Sequence, residues 1–168
     1  MTRTTLDDWN DRYRNREELD DAPAQLLIDA AAALKPGRAL DLACGAGRNA
    51  LWLQEHGWEV VAIDGAEEAI RIVRAKDIDA RLQDLEDGTP LPFGDESFDL
   101  VAILFYLHRP LFAEAKRVLR RGGTIVAAAR TRGRFGVAPG ELRTFIEEDC
   151  DVVLDRADDV AELIAVKR

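Results

Sequence analysis

The hydrophobic positions change their period several times along the chain. In APAQLLIDAAAALKPG, Leu26, Leu27, Ala30, Ala31 and Leu34 recur at the spacing of one helical face, with Pro23 near the start and Pro36-Gly37 at the end. The apolar run Arg38 to Leu42 then predicts a strand, and a glycine-bearing loop leads into a helix carrying Ala50, Leu51, Trp52 and Leu53. That helix stops at EHG, where Gly57 supplies a left-handed cap. A second strand is read in WEVVAID, a helix in AEEAIRIVRAK and a short strand around DARLQ. Beyond the loop DLEDGTPLPFGDES come a strand FDLVAILF, a helix PLFAEAKRVLR, a turn at RGG and a strand TIVAAA. The tail reads as a helix starting at PGELRTFIEE and two strands, DVVLD and AELIAVKR, whose short link RADD makes the pair antiparallel.

Strands alternating with helices require crossover connections, so the expected class is α/β, with a mainly parallel sheet covered by helices on both faces. Near-continuous apolar strands such as LVAILF agree with burial on both sides. A length of 168 residues, 47% hydrophobic and 33% charged, suits one domain spanning residues 1–168, with no internal repeat, low-complexity tract or linker read within it.

Charge narrows the functional classes. A formal net charge of -9 argues against a phosphate-facing nucleic-acid binder, whose affinity comes from counterions displaced by a basic surface. Cys44 and Cys150 lie far apart and neither belongs to a CxxC pair, so no zinc site or disulfide framework is expected and the chain reads as cytosolic. The amino terminus is too charged for a signal peptide, and VAILFYL is too short to span a bilayer, so a soluble, cytoplasmic protein is expected.

In such a sheet the ligand crevice lies beyond the carboxyl ends of the strands, where strand order reverses. The stretches to inspect are therefore Asp41 to Asn49, Asp64-Gly65, Asp84, Phe105 to Arg109 and Arg130 to Arg134. Gly45-Ala-Gly-Arg-Asn-Ala50 matches G-x-G-x-x-G/A, and Asp64 follows about 20 residues on, as a dinucleotide fingerprint asks. Against a nicotinamide-dependent oxidoreductase stand the acid Asp41 four positions before the first glycine, a further acid Asp84 after the third strand, and the absence of a substrate domain in the sequence.

LDLACGAGRNALWL, VVAIDGAEEAI, LQDLEDGTPLPFGDESFDLVAILFYLHRPLF and LRRGGTIVAA together resemble the successive motifs of class I S-adenosylmethionine-dependent methyltransferases. WNDRY, the GRNALWL ending, YLHRPL and PGEL resemble the branch of tellurite-resistance and thiopurine-methyltransferase-like enzymes. The resemblance implies a Rossmann-like, seven-stranded sheet and S-adenosyl-L-methionine as cofactor. It implies that Asp41 and the loop Ala43, Gly45, Gly47 and Asn49 hold the methionine part, with loop amides serving its polar tail. Asp64, beside Gly65, resembles the acid that takes both ribose hydroxyls, and Asp84 with Leu85 the pair that reads the adenine. Residues 1–21 resemble a lid, with Arg12 or Tyr13 near the donor's carboxylate. Cys44 is expected to fill space beneath the cofactor. Asp64 as a helix cap, Asp41 as a turn acid and Asp84 as a loop carboxylate are the competing structural roles.

A sulfonium is an activated methyl donor, so alignment and dehydration carry the chemistry, and neither a metal nor a catalytic triad is demanded. Tyr106, His108 and Arg109 are the candidate substrate-site residues, His108 being a potential general base. Arg130, Arg132 and Arg134 form a local basic cluster suited to an anionic small-molecule acceptor, such as an oxyanion or a carboxylate. The alternative roles are a solvated helix start for His108, a salt bridge for Arg109 and a solvated loop for the cluster. A binding module that keeps the cofactor site without chemistry remains a competing functional class.

Overall fold

The computed structural model describes residues 5–15, 20–133 and 136–168. Its elements run α1 (Leu6–Asn15), α2 (Gln25–Ala32), β1 (Arg38–Leu42), α3 (Arg48–Glu55), β2 (Glu59–Asp64), α4 (Glu67–Arg74), β3 (Asp79–Leu82) and β4 (Phe98–Leu104). They continue with α5 (Leu111–Val118), β5 (Leu119–Arg130), α6 (Glu141–Thr144), β6 (Cys150–Ala157) and β7 (Val160–Lys167). The seven strands form one sheet in the order β3-β2-β1-β4-β5-β7-β6. Strands β3 to β5 are parallel, and β7 is antiparallel to both of its neighbours.

Strand alternation divides the core into two layers. Leu40 and Leu42 of β1, with Val101 and Ile103 of β4, pack with Leu111, Phe112 and Ala115 of α5 and Leu142 of α6. Ala39, Leu100 and Ala102 point the other way and pack with Leu26 and Leu27 of α2, Leu53 of α3, and Ile70 and Val73 of α4. Burial on both faces explains why these strands carry apolar residues at consecutive positions. Strand order turns back between β1 and β4, which places the crevice at their carboxyl ends.

The pattern-based elements are recovered with four changes. Strand β5 begins at Leu119 and takes in the RGG read as a turn. Its register against β4 jumps from Phe98↔Leu119 to Leu100↔Thr124, a bulge that Gly122, at φ 76°, accommodates. Strand β4 stops at Leu104, because Phe105 turns into the left-handed region at φ 58°. The helix read from PGELRTFIEE shrinks to α6, and the link between the last strands is Asp158-Asp159, not the four residues RADD.

Candidate functional site

Two adjoining cavities open at the carboxyl ends of the strands. The first, about 350 Å³, is walled by Ala43, Asp64, Gly65, Asp84, Leu85, Glu86, Phe105 and Tyr106, and closed by Thr5, Leu6, Trp9 and Tyr13 on and beside α1. The second, about 800 Å³, shares Trp9, Tyr13, Ala43 and Phe105 with the first. It extends along Gly45, Asn49, Arg12, Arg48 and Arg130. Tyr13 and Trp9, stacked with centroids 6.0 Å apart, stand on the shared wall. The charged groups of the first cavity are thus all carboxylates, whereas the second carries three guanidinium groups together with the carboxylates of Asp20 and Glu162.

The loop after β1 reverses direction through three left-handed residues, Ala43 (φ 56°), Gly45 (φ 55°) and Gly47 (φ 83°). A Cβ on Gly45 would lie 2.9 Å from Tyr13 Oη, so the glycine permits α1 to approach the loop. A Cβ on Gly47 would meet Val73 Cγ2 at 2.8 Å, so this glycine serves the packing of α4 on the start of α3. Several loop amides already donate within the protein: Cys44 to the Ile63 carbonyl, Gly47 to the Cys44 carbonyl, and Gly45 to Asp64 Oδ2 at 2.9 Å. The expectation that loop amides serve a ligand's polar tail is narrowed to the remaining positions.

Asp64 accepts a second amide, from Ala66 at 2.9 Å on Oδ1, and burial raises its pKa against the lowering effect of those amides. Each oxygen retains acceptor capacity after these bonds. Asp41 is 1% exposed. Its Oδ2 is a buried side-chain oxygen with no hydrogen-bond partner among the described residues. Burial, then the nearby charge of Asp64, pushes its pKa up to about 7, while Arg48 and the Ala50 amide pull the other way. Cys44 is buried, and burial with the charges of Asp41 and Asp64 raises its pKa far enough to keep it a thiol. Tyr13 is likewise raised, chiefly by burial, and remains a neutral phenol.

Helix α1 is fastened to the start of α4 and to the turn after β2. Asn10 Oδ1 accepts the Glu68 amide at 3.0 Å, at the start of α4, and Leu6 reaches Gly65, where a Cβ would lie 2.8 Å from Leu6 Cδ2. On the opposite wall, Asp84 Oδ1 accepts the Glu86 amide at 2.9 Å, and Tyr106 Oη donates to Glu86 Oε1 at 3.0 Å.

Not every candidate residue reaches these walls. Arg109 pairs with Glu141 Oε1 through Nε and Nη2, at 2.8 and 2.5 Å, which ties the start of α5 to α6. His108 offers its carbonyl to the Leu111 amide at the start of α5 and lines none of the described cavities. Asn49 lines the second cavity, but its Oδ1 accepts the Ala24 amide at 2.8 Å and anchors α2. Arg130 lines the second cavity, Arg132 lies 3.4 Å from Asp159, and Arg134 is outside the described residues. Phe105 falls in the stretch Phe105 to Arg109 marked for inspection, although the apolar run also reads it as the end of a strand, whereas no motif singles out Glu86, two residues from Asp84 in the same loop.

A methyltransferase domain family model matches residues 40–127, just over half of the chain. Demethylmenaquinone methyltransferase of Renibacterium salmoninarum is 34% identical over 119 residues, covering 67% of this chain and 49% of that protein. The enzyme of the same name from Thermus thermophilus is 36% identical over 126 residues, 66% of this chain and 56% of its own. The chain therefore spans about half the length of the curated relatives it matches. Among solved structures, a TehB-like SAM-dependent methyltransferase from Corynebacterium glutamicum aligns with a TM-score of 0.73 at 20% identity, covering 97% of this chain and 98% of that one. TehB from Haemophilus influenzae aligns with a TM-score of 0.75 at 20% identity, over 95% and 67%. At these identities the structural likeness is one of fold.

Proposed function

From the premise that the chain belongs to the S-adenosylmethionine-dependent methyltransferase domain family, we propose that it binds the cofactor across the two adjoining cavities and methylates a small-molecule nucleophile. The observation that carries this reading is the convergence of Tyr13, Ala43, Asp64, Gly65, Asp84 and Leu85, drawn from four separate stretches of sequence, on one cavity. The site has features that suit the cofactor. Asp41 Oδ2, near the end of β1, lines neither cavity, but it is an uncompensated buried acceptor among the described residues that a cationic or hydrogen-bonding group reaching it would relieve. Asp64 keeps acceptor capacity for two hydroxyls, and Leu85 offers an apolar surface beside Asp84. A pyrophosphate fits less well, because the Cys44, Gly45 and Gly47 amides that would cradle it already donate within the protein.

When bound, the cofactor would supply an activated methyl group carried on a positively charged sulfur. The protein's part is alignment and dehydration. Helix α1 closes one side of the first cavity and excludes water there. Tyr106, its proton held by Glu86 Oε1, presents oxygen lone pairs on the wall and can accept a hydrogen bond. Arg12, Arg48 and Arg130 give the second cavity a positive potential that favours an acceptor in its anionic, nucleophilic form. The resemblance to the tellurite-resistance branch, with TehB sharing the fold, suggests a thiol or chalcogen oxyanion as acceptor; the names of the sequence relatives suggest a quinol.

Thermal unfolding with S-adenosylmethionine, S-adenosylhomocysteine and a nicotinamide dinucleotide in parallel tests the proposal. Stabilisation by both adenosyl compounds, lost in Asp64→Ala, is the expected result. Stabilisation by the dinucleotide alone would overturn it.

A further inference from the structure

Phe105 is the bulky residue least expected in its backbone conformation. It sits at φ 58°, where a side chain other than glycine, asparagine or aspartate is strained. Its amide still donates to the Ala128 carbonyl at 2.7 Å, so β5 holds it in that conformation. The ring gains no burial in return: it is 45% exposed and borders the two cavities of the site and a third, smaller one beside β5. The Arg48 guanidinium lies 5.6 Å from the ring centroid and is itself fixed by Asp20 Oδ2 at 2.8 Å and the Ala22 carbonyl at 3.0 Å.

Arg130 ends β5 and borders both the second and third cavities, as Phe105 does. The acids that share the second cavity have other partners, Asp20 pairing with Arg48 on the same wall and Glu162 with Arg156 outside it. No ion pair or hydrogen bond holds the Arg130 side chain among the described residues. A guanidinium with no partner among the described residues, on the walls of the same two cavities as an exposed aromatic ring, is suited to a molecule with an apolar face and an anionic end.

We infer that Phe105 and Arg130 together select the methyl acceptor as a compact organic anion, the ring packing against its apolar part and the guanidinium pairing with its carboxylate. The inference rests on the proposed methyltransferase function and names the substrate class of that site. A prenylated quinol fits poorly, because an isoprenoid tail needs a continuous apolar track. Of the exposed large apolar side chains among the described residues, Leu82 and Val153 stand on the opposite edge strands β3 and β6, leaving Leu6, Trp9 and Phe105 at the cavities.

The test is calorimetric binding to the S-adenosylhomocysteine-loaded full chain of three probes: 4-mercaptobenzoate, its counterpart 4-mercaptobenzamide, which keeps the thiol and replaces the carboxylate with an uncharged amide, and a short-chain prenylated naphthoquinol. The carboxylate is expected to bind about tenfold or more tightly than the amide, with the preference retained in Arg130→Lys and lost in Arg130→Gln. Phe105→Gly is expected to weaken both benzene probes while leaving the unfolding temperature equal or higher, since it removes backbone strain; a merely structural Phe105 would instead cost stability. Equal binding of carboxylate and amide, a preference that survives Arg130→Gln, or tightest binding by the naphthoquinol would overturn the inference with cofactor binding intact. Failure of S-adenosylhomocysteine to bind at all overturns the methyltransferase reading, and this one with it.

Discussion

The Gly45 amide donates to Asp64 Oδ2 across 2.9 Å, joining the loop after β1 to the end of β2. With the Ala66 amide on Oδ1, the carboxylate is a two-armed acceptor that sets the relative position of two cavity-lining turns. Asp64→Asn replaces one acceptor oxygen with an amide donor, so one of the two backbone N–H groups faces a donor. A loss of about 1–2 kcal/mol in urea unfolding is expected, with faster hydrogen exchange at the Gly45 or Ala66 amide.

Asp41 predicts a pH dependence with a definite sign. Its folded pKa, about 7, lies above the value near 3.9 expected of an unfolded aspartate, so the folded chain holds the extra proton between those values. Stability contributed by this group is full below about pH 4, falls as pH rises to about 7, and is then flat. Asp41→Asn lacks that fall. The unliganded variant should match the wild type in acid and exceed it by on the order of 2–4 kcal/mol at pH 8, measured by denaturant titration at several pH values. The same variant should bind S-adenosylhomocysteine more weakly.

Gly47 is held by two constraints that separate experimentally. Gly47→Ala meets both the φ of 83° and the Val73 methyl 2.8 Å away, and should cost about 2–4 kcal/mol. Gly88→Ala, at φ 82° with open space around it, should cost about 1 kcal/mol. Trimming Val73 to alanine in the Gly47→Ala background should give a double-mutant coupling that recovers part of the loss.

Tyr13 closes over Gly45 from α1, and its removal should open both cavities to solvent. Tyr13→Ala is expected to weaken S-adenosylhomocysteine binding about fivefold to tenfold by calorimetry, and Tyr13→Phe by less, because the phenyl ring keeps most of the covering area. Unchanged affinity in both would leave α1 with no part in cofactor retention.

The fold was legible in the sequence because burial on both sheet faces writes long apolar runs, and crossover helices write a different period between them. Asp64 and Asp84 could be read for the same reason, since a strand's end is visible where the apolar run stops. The stretch from Phe105 was marked by its place after β4, but the conformation of Phe105 was not legible: a single left-handed residue ends β4 inside an apolar run and leaves its ring on the cavity walls. Arg109 looked available until its partner Glu141, 32 residues away, was brought beside it by α6. Gly47 resembled a ligand glycine, and only the approach of Val73 from α4 reveals its packing role.

Strand β7 has a consequence for the order in which the sheet can be completed. It is made last of the seven strands yet lies between β5 and β6, pairing with β5 from Thr124↔Val166 to Arg130↔Val160. Until Val160–Lys167 emerges during synthesis, the β5 edge has no partner and β6 has no sheet to join. Nascent chains stalled before residue 160 therefore present a bare apolar edge, a template for pairing with other chains, and the strand bearing Arg130 acquires its final neighbour only once Val160–Lys167 has been made.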